Sequence, residues 1–106
     1  MISPNQFREQ ISQPPDEQRE RALERLVGAY ERALSELEKR GGLAGPVPSP
    51  QYLRERITLA WSDHPHSQRA AQEAIRLYTV ANAASQRFKA LSDLKESASR
   101  AAVEAP

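Results

Sequence analysis

Five apolar residues, Leu23, Val27, Tyr30, Leu34 and Leu37, recur at alternating steps of four and three. That spacing sets all five on one stripe of an α-helix, and such a stripe must be buried against another surface. Around them Glu, Arg, Lys and Ser predominate, as on a face left in water. The segment is expected to be a packing helix with one dry side.

Composition extends this to the whole chain. The sequence has 106 residues, enough for one domain with a modest core. Ala, Arg, Glu, Leu and Gln are abundant and favour helix, whereas the β-branched residues that favour strands are sparse. The formal charge is +1, with both signs interspersed, which argues against a dedicated polyanion binder. There is no cysteine, so disulfides, thiolate catalysis and Cys-based metal sites are excluded. The first ten residues lack a secretory pattern, and no stretch approaches the roughly 20 apolar residues of a bilayer span. The expectation is a soluble cytoplasmic chain.

Four helices can be read along it. Ser3 caps the first, with Pro4 at its first position and Gln6 completing a capping box. Ile2 and Phe7 stand where a hydrophobic staple belongs. After the stop at 12–15, Pro14 and Pro15 are expected to open a second helix running to about Arg40. Asp16 and Glu17 suit its positive end, Glu17–Arg21 and Glu36–Arg40 are i,i+4 pairs, and Gly41 is its C′ residue. Gly28, in mid-helix, either admits a second backbone or is simply exposed. Residues 41–49 read as the turn of an αα-hairpin. Ser49 and Pro50 repeat the Ser-Pro start for a third helix, whose apolar face is Leu53, Ile57, Ala60 and Trp61. Pro65 ends it before His64, and His64 or Asp63 caps the fourth. There Ala74, Leu77, Ala81, Ala84, Phe88 and Leu91 keep a three–four spacing, widened by Ala71, Ile75 and Tyr78.

The fold expected is all-α: an antiparallel helical hairpin or small bundle with two long helices, about 15–40 and 65–97, and two short ones. Residues 1–98 form one helical domain, and 99–106 a frayed tail with little to bury. Signals for chemistry are faint. Asp63, His64 and His66 have ligand-type side chains, but no second cluster completes a coordination shell, so neither metal nor cofactor is expected. No nucleophile elbow or phosphate loop is present, and no carboxylate pair has the apolar surroundings that would make a general acid. Catalysis is therefore not expected. A basic face of Arg69, Arg76, Arg87 and Lys89 offers the alternative of nucleic-acid binding, although Glu73 falls between the first two. The leading expectation is a non-enzymatic module that binds another helical protein or itself. Its anchors would be Leu23, Val27, Tyr30, Leu34, Leu37, Trp61, Leu77, Tyr78 and Phe88, with Trp61 serving either core or interface.

One longer stretch resembles a known group. ALSELEKRGG (33–42), the glycine turn, Gln51-Tyr52, and RAAQEAIRLYTVA (69–81) together look like the small helical-hairpin co-chaperones of type III secretion needle subunits. The resemblance covers about half of the chain and departs from the pattern at Asp63-His64-Pro65. It implies an intracellular hairpin that docks on a larger helical chaperone and keeps an export subunit from polymerising.

Overall fold

Both Ser-Pro steps begin helices. In the computed structural model, which describes residues 2–41 and 47–104 with side chains as far as Arg87, the chain forms α1 (Pro4–Ser12), α2 (Arg19–Lys39), α3 (Pro50–Ala60) and α4 (Ser67–Glu104). The Ser3 hydroxyl accepts the Gln6 N–H at 3.1 Å, and the Gln6 side chain accepts the Ser3 N–H at 2.9 Å, so the capping box is complete. Ser49 caps α3 in the same way, accepting from the Tyr52 N–H at 3.1 Å. Helix α4 begins at Ser67, two residues after the expected Pro65: His64 closes a turn before it, its carbonyl receiving the Ser67 N–H at 3.0 Å and its Nδ1 the His66 N–H at 3.1 Å, and the His66 carbonyl takes the first helical bond, from Ala70 at 3.0 Å. Gly41 stands at φ +69 and donates to the Glu38 carbonyl at 3.0 Å, the left-handed C′ geometry that glycine supplies without a Cβ clash. The hairpin turn expected after it falls at 42–46, outside the described residues.

The second helix departs from expectation at its start. It begins at Arg19 rather than near Pro15, so Glu17 lies outside it and forms no helical i,i+4 pair with Arg21. Two effects override the Pro-Pro start. Each proline pushes the residue before it out of the α region. Gln18 then turns left-handed, at φ 58, to aim the chain along a new axis. Arg19 holds that corner: its Nε donates to the Pro15 carbonyl at 2.8 Å and its Nη1 to the Trp61 carbonyl at 3.1 Å. The Glu36–Arg40 pair does form, at 3.6 Å.

The bundle is all-α, two long helices and two short, and the described residues contain no strand. Helices adjacent in sequence run antiparallel. Between α2 and α3 the pairing proceeds from Arg19–Trp61 through Glu24–Arg54 to Tyr30–Pro48. The antiparallel hairpin thus joins a long helix to a short one. The two long helices, expected to oppose each other, run parallel: both start beside Trp61, and Arg40 ends up by Gln86. The intervening α3 uses up the reversal.

Helix α4 packs against all three others. Its buried positions explain how. Ala70, Ala74, Ala81 and Ser85 are small, so neighbouring helices come close on several sides, and among the described side chains Tyr78 is its one large buried residue. The bulk comes from the partners: Phe7 and Ile11 of α1, Leu26, Val27 and Tyr30 of α2, and Leu53, Ile57 and Trp61 of α3 and its end. At 38 residues α4 is about 57 Å long, most of the molecule's 66 Å long axis. It stays helical through 99–104. Among the described residues no helix is long and apolar enough to cross a membrane.

Candidate functional site

The residues expected to anchor a partner divide into two groups. Val27, Tyr30, Leu37, Trp61 and Tyr78 are buried within the chain's own core. Their polar tips are satisfied there: the Tyr30 hydroxyl donates to the Pro48 carbonyl at 2.7 Å, the Trp61 indole N–H to the Ile11 carbonyl at 3.2 Å, and the Tyr78 hydroxyl to the Ile2 carbonyl. Burial pushes the ionisation of Tyr30 and Tyr78 above the usual tyrosine value. Leu23, Leu34 and Leu77 are half-buried, packed on the rim of that core with one side open. Phe88 lies outside the described side chains.

On the α3–α4 face, charges are tied across helices. The Tyr52 hydroxyl donates to the Glu73 carboxylate, a bond that raises the tyrosine's ionisation above its usual value. Arg56 lies 5.2 Å over the Tyr52 ring and 3.9 Å from the same carboxylate. Glu24 of α2 and Arg54 of α3 form a surface pair, and that hydrogen bond draws the Glu24 carboxyl below its ordinary range. The consequence for α4 is specific. Glu73 is the acid that falls between Arg69 and Arg76, and it is drawn onto α3. Arg69, Arg76, Val80 and Arg87 fall within about 40° of one another around the helix and are all exposed. Lys89, the fourth member of the expected basic face, lies outside the described side chains.

Several recesses interrupt the described surface. One, about 690 Å³, separates the C-terminal half of α2 from α4. Arg32, Lys39 and Arg40 line it, and Glu36, its one lining carboxylate, pairs with Arg40. Two more, about 350 and 410 Å³, lie end to end along the α1–α4 groove, with Gln72 and Ile75 lining both. Its apolar wall runs from Ile11 through Ala71 and Ile75 to Val80, which is 61 % exposed. Arg8 stands on the α1 side and Arg76 on the α4 side. Sequence reasoning assigned no role to Arg8 or Val80, because Val80 is out of phase with the apolar stripe and Arg8 meets α4 only in the fold.

His64 and His66 do not converge on a common point that Asp63 completes. Their rings are tilted, with centroids 5.4 Å apart, and His64 Nδ1 is occupied by the His66 N–H. Among the described residues no group of three or more His, Asp or Glu side chains is arranged to hold an ion. No protein-family model matches the chain, and neither does any curated protein or solved structure.

Proposed function

We propose that this chain is a non-enzymatic helix-packing module that binds a second helical protein or another copy of itself through α4. One observation carries the reading. The cleft between α2 and α4 ends at Arg40 on one side and Gln86 on the other, and α4 then continues as helix for the eighteen residues from Arg87 to Glu104. That extension is about 27 Å of helix. Its sequence carries Phe88, Leu91 and Leu94 at three-residue steps, the pattern of a helix that seeks a partner. The half-buried Leu34 and Leu77 supply further apolar edge nearer the bundle. The mechanism is helix-on-helix burial, with charged faces setting direction. Holding an aggregation-prone helical subunit, as the resemblance to needle-subunit co-chaperones implies, is one form such binding takes.

Light scattering and native mass spectrometry of the full chain test this, together with identification of any protein it carries from its native cells. The doubly charged variant Phe88→Glu/Leu91→Glu should abolish the association while leaving the bundle's helicity and unfolding transition in place. A full chain that is strictly monomeric and carries no helical partner refutes the reading, as does an association that survives both substitutions.

A further inference from the structure

The geometry points to a second contact on another face of α4: the α1–α4 groove receives an acidic amphipathic helix from a partner protein. This rests on the reading of the chain as a helix-binding module, and adds the chemistry of what it binds.

Four features of the groove select that occupant. Its apolar lining is Ile75, half-buried between the helices, and Val80, exposed beside Arg76 on the α4 edge. Its rims are cationic. Arg8 and Arg76 face it from two helices, Arg69 continues the same line on α4, and none of the three makes a hydrogen bond or ion pair among the described residues. The neighbouring acid Glu73, which would cancel this charge, is engaged by Tyr52 and Arg56 on α3. Finally, the Thr79 hydroxyl lines the groove, buried and without a hydrogen-bond partner. From Ser67 to Val80 the two recesses together follow α4 for about 20 Å, the length of roughly four helical turns. An aliphatic stripe on the incoming helix covers Ile75 and Val80, and carboxylates on its two edges meet Arg8 and Arg76. The aliphatic lining is what distinguishes this site from a phosphate-tracking face, where aromatic or purely cationic surface is needed.

The test uses the full chain and three probes. The first is an eighteen-residue synthetic helix with leucine at i, i+3, i+4 and i+7 and glutamate on both flanks. The second is its counterpart with lysine in place of glutamate, and the third a single-stranded DNA oligonucleotide. Amide shifts in nitrogen-15 spectra locate binding and fluorescence anisotropy measures it. The glutamate helix should bind at least tenfold more tightly than the lysine one, with the largest shifts at Arg8, Ile75, Arg76 and Val80. Val80→Glu and the double variant Arg8→Glu/Arg76→Glu should each weaken it at least tenfold; all three positions are exposed, so the fold is not at stake. Equal binding of the two helices, shifts confined to α4 beyond Gln86, or binding of the oligonucleotide alone overturns the proposal. So does self-association through these same residues. The Phe88→Glu/Leu91→Glu variant separates the two readings: groove binding persists in it, whereas association through the α4 extension is lost.

Discussion

The rings of Phe7 and Tyr78 lie 4.4 Å apart and within 5° of parallel. The Tyr78 hydroxyl reaches past that stack to the Ile2 carbonyl, just ahead of the Ser3 cap. At the other end of α1, the Trp61 indole takes up the Ile11 carbonyl, one of the C-terminal carbonyls that a helix leaves without an internal partner. A helix of nine residues is too short to persist alone in water. Here two aromatic side chains, from two other parts of the chain, hold it at both ends.

Removing the stack should therefore release α1. Phe7 is fully buried, and Phe7→Ala is expected to cost about 3–5 kcal/mol, the range for truncating a core aromatic. Tyr78→Phe, which keeps the ring and deletes the hydroxyl bond, should cost only about 0.5–1.5 kcal/mol. Denaturant unfolding followed by circular dichroism measures both, and similar losses for the two would show that the ring contact is not what holds α1.

Trp61 is the chain's one tryptophan and is 9 % exposed, so its fluorescence should be blue-shifted in the folded protein and shift red on unfolding. Trp61→Phe leaves the Ile11 carbonyl without its donor and should destabilise by about 1–3 kcal/mol. A folded-state emission already at the position of free tryptophan contradicts this placement.

A Cβ added at Gly28 would meet nothing within 4 Å. Gly28→Ala therefore removes only the backbone-entropy cost of glycine in mid-helix and should stabilise the fold by roughly 0.5–1 kcal/mol. A loss of stability in thermal unfolding would mean that another backbone uses that space.

Gln18 holds a left-handed conformation at φ 58, which costs a residue with a Cβ about 1–2 kcal/mol. Gln18→Gly relieves it at a smaller entropic cost and should gain about 0.5–1 kcal/mol. No gain in the urea midpoint would show that the corner is unstrained.

All three tyrosines ionise above the ordinary value of about 10: Tyr30 and Tyr78 through burial, and Tyr52 chiefly through its bond to Glu73. Folding raises these values. Their contribution to stability is therefore whole below the unfolded-chain value and is lost as pH climbs through the folded ones. Ultraviolet titration should give a tyrosinate midpoint higher in the native protein than in urea, and stability should fall once pH passes about 10. Coincident midpoints would dispose of the effect.

Much of this architecture was legible from local signals. Ser3-Pro4 with Gln6 and Ser49-Pro50 are capping devices that act over three residues, and both form as read; the start read at Pro65 is a turn, and α4 begins two residues later. The apolar spacing marked Val27, Tyr30, Ala74 and Tyr78, all buried. What escaped depends on long-range contact. The delayed start of α2 is held by Arg19 on Trp61, forty-two positions away. The parallel course of α2 and α4 follows from α3 lying antiparallel to both. Glu73 reads as an acid breaking a basic stripe, and only the proximity of Tyr52 and Arg56 takes it out of that stripe. Arg8 joins the candidate groove for the same kind of reason: nothing near it in sequence ties it to Arg76.

Helix α4 is the common surface on which α1, α2 and α3 are assembled, yet it follows all of them in the chain. On the ribosome, the first sixty residues emerge ahead of it, with only the α2–α3 pairing to shelter their large side chains. The core closes only after the segment carrying Tyr78 and Ala81 has emerged as well. Until that moment the nascent polypeptide shows Phe7, Leu26 and Leu53 to its surroundings, which makes the pace of synthesis through the last helix the interval of greatest exposure to misassembly.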